Sequence, residues 1–233
     1  MAARMEQKQK ELYHAHAQRL ALMLQNQTEE EFADSRFQVL SELTRLRQLC
    51  CDPALVYENY EGGSAKLDLC IELIQSAVES GHKILLFSQF TSMIEILTAR
   101  LQEESISYFV LQGSTKKEQR AQMVEQFNRD DTSVFCISLK AGGTGLNLTG
   151  ADIVIHYDPW WNVAVENQAT DRAHRIGQKN VVTVYKLIAK GTIEEKIIKL
   201  QQMKKELAEE ILSGDEIKTA SFQREELLEL LEE

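Results

Sequence analysis

From Lys83 onward, short apolar runs alternate with amphipathic stretches, and this alternation limits the possible folds more than any other feature of the chain. The runs Ile84–Ser88, Tyr108–Leu111, Val134–Ser138, Ile153–Tyr157 and Val181–Leu187 are rich in β-branched and aromatic residues and read as strands. Between them, Ser92–Glu103, Lys116–Asn128 and Val163–Arg175 carry apolar residues at helical spacing. Strands alternating with helices imply βαβ units, so the expected class is α/β, a mainly parallel sheet with helices on both faces. Thr115 with Glu118, and Thr192 with Glu195, fit capping boxes at two of the helix starts.

The flanks read differently. Met1 to about Leu49 contains neither Gly nor Pro and is expected to be helical, with Leu20, Leu24, Phe37, Leu40, Leu43 and Leu46 at spacings of three and four. The polar stretch Asn26–Glu31 joins two helices, Pro53 ends the second, and Glu61-Gly62-Gly63-Ser64 is a loop. A helix over Ala65–Ser80 follows, with Gly81 at its C′ position. After Thr192 a charged helix runs to about Leu212, and a short helix, Glu225–Leu231, closes the chain. The expected organisation is a helical segment at 1–62, an α/β lobe at 63–191, and a helical brace with an acidic tail at 192–233.

Composition excludes several classes. With 43% hydrophobic and 27% charged residues the chain is globular, not disordered. Its apolar runs fall far short of the ~20 residues a membrane helix needs, and no apolar secretory core follows Met1. Cys50, Cys51, Cys70 and Cys136 form no C-x-x-C pair, so they read as reduced, mostly buried thiols, with no metal site. The net charge of −10 is uneven. Residues 132–192 hold 6 basic and 4 acidic side chains, net +2, whereas 193–233 hold 6 and 12, net −6. A phosphate partner responds to the local field, so the total does not exclude one.

Three segments carry candidate chemistry. Ser138–Thr149 follows a strand and holds Gly142, Gly143 and Gly145, which would let phosphate approach backbone N–H groups, with Lys140 and Thr144 as further donors; a tight strand-to-helix turn explains the glycines equally well. It is not a P-loop, because Gly-Lys-Ser/Thr occurs nowhere in the chain. In Glu166–Gln178, a helix would place Gln168, Arg172 and Arg175 on one stripe bordered by Asp171. Guanidiniums that close suit a triphosphate, although a solvated face with an Asp171–Arg175 pair is the plain alternative. Asp158-Pro-Trp-Trp-Asn162 puts both tryptophans of the chain after a strand, to stack on a base or sugar, clamp a neighbouring domain, or cap the sheet edge, with Asn162 a candidate helix cap. Ser88-Gln89 and Gln112-Gly113-Ser114 also follow strands, and such loops share one rim of an open parallel sheet. His14, His16, His82 and His156 lack metal-ligand spacing and are read as structural.

In this order the segments are not generic. The chain resembles the second RecA-like lobe of the Snf-type (switch/sucrose-nonfermenting) DNA translocases, a branch of the superfamily-two helicases. The matching pieces are Ile84–Thr91, Leu111-Gln-Gly-Ser114, Gln126-Phe-Asn128, Ser138–Leu148, Asp158–Asn162 and Gln168–Gln178. The run Asp171-Arg-Ala-His-Arg-Ile-Gly-Gln178 is the most specific, and Leu46–Pro53 with Ser64-Ala-Lys-Leu67 match the family's lead-in. The resemblance implies a motor that uses ATP with Mg2+ to move along double-stranded DNA. It implies that Arg172 and Arg175 are catalytic arginine fingers for the γ-phosphate, that Gln168 and Gly145 lie at the nucleotide, and that Ser88, Gln89, Gly113, Ser114, Lys140, Gly142, Gly143 and Thr144 grip one strand's phosphates, with Trp161 near the groove. It also implies inter-lobe helices before the lobe and a bracing helix after it.

The departure from the pattern is large. There is no Walker-A loop and no Asp-Glu pair after a strand; Asp215-Glu216 lies in the acidic tail. Half of the composite ATP site, including most of the magnesium ligation, would belong to a first RecA-like lobe of the same native chain. The expectation is therefore a piece of a longer protein, inactive alone and starting just after that lobe, with Glu233 a natural C-terminus and no membrane partner. A prokaryotic source would put it in the cytoplasm with the nucleoid, a eukaryotic one in the nucleus. The competing readings are a non-catalytic protein-docking module, an RNA-directed superfamily-two lobe, and a Rossmann-type enzyme, which would need a Gly-x-Gly-x-x-Gly turn that is missing here.

Overall fold

The computed structural model describes residues 1–139, 141, 146–174, 178, 180–210 and 224–231. In chain order the elements are β1 (Ala2–Ala3), α1 (Gln7–Gln25), α2 (Glu29–Cys51), α3 (Ala65–Glu79), β2 (Ile84–Ser88), α4 (Thr91–Glu103), β3 (Tyr108–Leu111), α5 (Lys117–Arg129), β4 (Val134–Ser138), β5 (Ile153–His156), α6 (Val163–Thr170), β6 (Thr183–Lys186), β7 (Ile188–Ala189), α7 (Ile193–Glu210) and α8 (Arg224–Leu231). They form two compact units, Met1–Ala3 with Ala65–Ile188, and Arg4–Ser64 with Ala189–Glu233. Among the described residues no helix is long and apolar enough to cross a membrane.

The first unit is the expected α/β lobe. Its main sheet has five strands among the described residues, all parallel, in the order β3-β4-β2-β5-β6, and β1 pairs separately with β7. Every residue of β2, β4 and β5 is buried, as a parallel sheet covered on both faces requires. Alternate side chains divide between two layers. Leu85, Phe87, Phe135, Ile137 and Val154 pack with Phe127 of α5 and Ala169 of α6. The opposite face is covered by α4, which packs on β2 and β4, and by its neighbour α3. Edge strand β6 is exposed at Thr183 and Val184. Helix α3 ends on Gly81 at φ +79°, where His82 N–H reaches Ala77 C=O at 3.0 Å, so the expected C′ glycine performs that task.

The second unit is helical. Tyr13, Leu20 and Leu24 of α1, Phe32, Val39, Leu43, Leu46 and Leu49 of α2, and Ile193 and Ile197 of α7 are buried, as are Leu227 and Leu230 of α8. Arg224 covers the end of α1 by donating to the carbonyls of Leu24 (3.2 Å) and Gln27 (2.7 Å). Cys50 and Cys51 here, like Cys70 and Cys136 in the lobe, are buried free thiols. Burial pushes the Cys136 thiol up to about 12, far from a reactive thiolate.

Several local expectations are corrected. Met1 to Ala3 is not helical: Met1 N donates to Lys186 C=O at 2.7 Å and Met1 C=O accepts from Ile188 at 3.0 Å, so long-range pairing overrides local preference. The last strand is interrupted at Leu187, whose N–H still serves His156 C=O while the next residue turns to Met1. The capping box lies at Thr28 and Glu31, inside the stretch read as a linker, and the true link is three residues long. Thr115 does not cap α5; its hydroxyl accepts from Gln112 N–H at 3.1 Å. Glu195 reaches Gly191 N–H at 2.9 Å, one residue before the expected partner, while Thr192 Oγ1 accepts from Glu194. Phe37 is 88% exposed and Leu40 54%, so the apolar repeat of α2 includes two residues that leave the core.

Candidate functional site

The strand register aligns the C-terminal ends of the sheet. Ser88 pairs with Ser138, Phe87 with His156, and Leu111 with Ile137, so the loops after β2, β3, β4 and β5 open on one rim. The chain leaves β2 toward β3 and leaves β5 toward β6, in opposite directions along the sheet. Such a reversal between adjacent strands opens a crevice at their carboxyl ends, where ligands of doubly wound folds bind.

One carboxylate closes the floor of this crevice. Asp158 is fully buried; its Oδ1 accepts from Ser88 Oγ at 2.6 Å, and Gln89 N–H lies 3.2 and 3.3 Å from its two oxygens. Ser88 Oγ in turn accepts from Phe90 N–H at 3.2 Å, and Ser88 C=O accepts from Leu139 N–H at 3.0 Å. Three rim loops are thereby tied together. Ser88 itself is fully buried with its hydroxyl committed to Asp158, while Gln89 is half-buried at the surface of the loop.

The loop after β3 is held by a guanidinium. Arg120 donates from Nε to Thr115 C=O at 2.8 Å and from an Nη to the carbonyls of Gln112 (3.2 Å) and Gly113 (2.9 Å). Gly113 and Ser114 stay exposed at the tip. Beside them, a cavity of about 780 Å³ runs along α5 and is lined by Thr115, Lys117, Arg120, Asn128, Leu146 and Asn147.

Lys140, Gly142, Gly143, Thr144 and Gly145 lie outside the described residues, but both ends of their loop are described. Ala141 N–H donates to Ser138 Oγ at 3.3 Å, and Ala141 and Leu146 are buried in the core. At the far end Asn128 donates to Asn147 C=O and accepts from Gly150 N–H, both at 2.8 Å. A Cβ on Gly150 would lie 3.0 Å from Asn128 Cα, so the close approach there requires glycine.

Helix α6 is shorter than its sequence pattern suggests. After Thr170 the backbone tightens: Arg172 and Ala173 donate to carbonyls three residues back, and Arg172 C=O accepts from Leu148 N–H at 3.0 Å. That carbonyl therefore serves the glycine-rich loop instead of extending a helical ladder. Gln168 is exposed on the helix, whereas Arg172 is 3% exposed beside the loop's end. Arg175 lies outside the described residues. Gln178 closes the segment, donating from Nε2 to the carbonyls of Thr149 (3.3 Å), Ala151 (2.7 Å) and Ala173 (3.2 Å).

The tryptophan turn is also anchored by a buried acid. Glu166, 1% exposed, accepts from Trp160 N–H at 2.6 Å and ion-pairs with Lys186. Trp160 packs against the core cluster, Trp161 is half-buried, and Asn162 caps α6 through Ala164 N–H at 2.9 Å. His156 stacks on Phe87, its centroid 5.6 Å away, and shares a 3.0 Å hydrogen bond with Thr170; burial depresses its pKa to about 4. Among the described residues no three His, Cys, Asp or Glu side chains gather where a metal ion would sit. Asp158, Glu166, Arg120 and Asn128 organise the rim; the first, second and fourth fall in segments the sequence marks, but none of the four has a role the sequence alone assigns. Their available signal was position alone, a polar residue next to a strand end or facing a loop.

A doubly wound parallel lobe whose carboxyl rim carries the ends of a glycine-rich loop and a turn bearing Arg172 has the architecture of a RecA-like lobe. Residues 65–177 match the model of the helicase conserved C-terminal domain. The C-terminal domain of the Sulfolobus solfataricus SWI2/SNF2 ATPase is 32% identical, with a TM-score of 0.74 over 92% of this chain and 89% of that one. The same organism's SWI2/SNF2 ATPase core in complex with dsDNA is also 32% identical, with a TM-score of 0.76 over 91% of this chain and 45% of that one. A Mycoplasma pneumoniae protein named as an uncharacterized ATP-dependent helicase is 45% identical over 202 residues, 85% of this chain but 19% of that protein. The chain belongs to the SWI2/SNF2 ATPase family, as its C-terminal, helicase-like lobe. It spans about a fifth of the length of the bacterial relatives it matches.

Proposed function

We propose that this chain is the second motor lobe of an ATP-dependent double-stranded-DNA translocase and works only with a first RecA-like lobe that carries the Walker-A loop. The observation that carries this reading is the bond between Arg172 C=O and Leu148 N–H, which joins the arginine turn to the end of the glycine-rich loop on the ligand-binding rim. In this reading Arg172 and Arg175 complete the ATP pocket from across the cleft, with Gln168 and Gly145 beside them. Positioned guanidiniums stabilise the charge that develops on the transferring phosphoryl group. The magnesium that accompanies ATP is assigned in this reading to the first lobe.

The DNA track in this reading runs over the same rim. The Gln89 side chain, backbone N–H groups at Gly113 and Ser114, and the loop of Lys140, Gly142, Gly143 and Thr144 meet phosphates, and Trp161 sits beside the groove. Ser88 acts through Asp158, holding Gln89 in place. Phosphate contacts carry no sequence information and weaken steeply with salt. The protein would then act where chromosomal DNA lies, at the nucleoid of a prokaryote or in the nucleus of a eukaryote.

The decisive experiment joins the chain to its first lobe and measures DNA-stimulated ATP hydrolysis. The joined protein hydrolyses ATP, the chain alone does not, and Arg175→Ala lowers turnover by roughly 10³-fold, the scale on which arginine fingers act. Near-normal turnover in that variant would sink the assignment, and stimulation by RNA in place of duplex DNA would redirect it to an RNA-dependent lobe.

A further inference from the structure

The helical unit holds a cavity of about 740 Å³ where the start of α1, the turn before α7 and the end of α8 meet. Among the described residues its charge is one-sided: Arg4, Lys10, Lys190, Lys196 and Lys199 line it, with Glu195 as the carboxylate among them. That carboxylate is occupied by Gly191 N–H at 2.9 Å. Arg4, Lys10, Lys190 and Lys199 are exposed and form no ion pair among the described residues. Yet the unit that contains them is acidic, with 14 basic and 22 acidic residues, net −8. Surfaces that only need to be soluble intersperse the two signs. Gathering Arg4, Lys10, Lys190 and Lys199 around one concavity without an ion pair among the described residues costs self-repulsion that an anionic ligand removes.

The walls are fixed before any ligand arrives. Tyr13 is buried, and its hydroxyl accepts from Ile193 N–H at 2.7 Å, pinning the first turn of α7 to α1. Thr192 Oγ1 donates to Ala189 C=O at 2.7 Å, and Gly191 takes φ +71° to make the turn. Lys196 donates to Glu229 C=O at 2.9 Å, which secures the α8 side. A preformed cavity of this size falls in the range of small-molecule sites. Its cations line one hollow, whereas a duplex backbone would follow a stripe of charge.

We propose that this cavity is a binding site for a small anion bearing several closely spaced phosphate groups, separate from the rim of the α/β lobe. The site does not depend on the motor reading, because none of its residues belongs to the rim. Its test is isothermal titration of inorganic tripolyphosphate into the 233-residue chain. The expected result is one saturable site whose affinity falls with added salt and drops at least about tenfold in Lys10→Gln/Lys199→Gln, since each lost charge-assisted contact to a phosphate is worth roughly that factor. Orthophosphate should bind at least about tenfold more weakly than tripolyphosphate on the same reasoning. Circular dichroism checks that the double variant is folded; if it is not, Lys190→Gln, in the exposed turn, is expected to weaken binding in the same direction. Three outcomes would overturn the proposal. One is no saturable tripolyphosphate binding. Another is equal affinity in wild type and in the folded variant. The third is a variant that loses affinity for a short DNA duplex but keeps it for tripolyphosphate, which would make these lysines a nucleic-acid contact.

Discussion

The two sides of the rim are built on opposite principles. The loop after β2 hangs on Asp158, a fully buried carboxylate that receives a hydroxyl and a backbone N–H. The loop after β3 hangs on Arg120, a half-buried guanidinium that spans three carbonyls from the solvent side. A buried acceptor that loses its donors, or donors that lose it, bear the full desolvation penalty, whereas water replaces a surface clamp at little cost. The first loop is therefore rigid and inseparable from the fold, and the second can be altered without unfolding the lobe. Both sides would meet the same DNA in the proposed function, so they offer a way to separate stability from binding.

The strongest way to break this contrast is Asp158→Ala. It leaves Ser88 Oγ and Gln89 N–H without their acceptor in a dry site, and urea unfolding is expected to show a loss of about 3 kcal/mol. If the loss stays below ~1 kcal/mol, the loop after β2 is no more rigid than the loop after β3.

A second measurement reads the same buried layer through pH. His156 is the last residue of β5, two before Asp158, and is neutral in the fold, its pKa depressed to about 4 by burial. Unfolded, it titrates near ~6.5, so between those values the unfolded chain binds more protons and stability rises with pH. Above about pH 6.5 the ring costs the fold nothing; as the pH falls toward 4 stability drops, by roughly 3 kcal/mol at pH 4. Subtracting the pH profile of His156→Gln from that of wild type isolates this component from the carboxylates. A difference curve that is flat from pH 7 to 4 would mean that water reaches the ring.

Arg120→Ala tests the other side. Its three acceptors are carbonyls near solvent, so the expected loss of stability is about 1 kcal/mol. Binding of the joined motor to duplex DNA should weaken by several-fold, because Gly113 and Ser114 lose the brace that presents their N–H groups. The same substitution without any effect on DNA affinity would separate the loop after β3 from the track.

How much of this was legible beforehand follows the same division. Strands β2, β3 and β4 begin and end where their apolar, β-branched runs do, and β2 and β4 are buried along their whole length, as the continuous apolar runs of a covered parallel sheet require. The glycine at 81 and the Asn162 cap were readable for a similar reason, each being a local chemical requirement. What could not be read was set by partners distant in sequence. Met1 and Ile188 are joined by a backbone bond that no side chain advertises. Arg172 lends its carbonyl to Leu148, so α6 stops early although its side-chain pattern continues. The roles of Asp158 and Arg120 depend on which loops the topology brings beside them, and one carboxylate or guanidinium in a chain with 62 charged residues carries no such label.

The smallest expected effect concerns how α4 ends, and it compares two turns of the same lobe. After α3 the chain reverses on Gly81, but after α4 it does so on Ser105, at φ +58°. The bonds are equivalent: Ile106 N–H reaches Leu101 C=O at 2.9 Å, as His82 N–H reaches Ala77 at 3.0 Å. A side chain in the left-handed region costs about 1 kcal/mol, part of which glycine returns through its greater freedom when unfolded. Ser105→Gly is therefore expected to stabilise the lobe by about 0.5 kcal/mol, and Gly81→Ala to destabilise it by about 1 kcal/mol. Denaturant midpoints moving in opposite directions for the two variants, with unchanged slopes, would confirm that both turns obey the same backbone rule. A loss of stability in Ser105→Gly would mean that the serine contributes more to this turn than its strain removes.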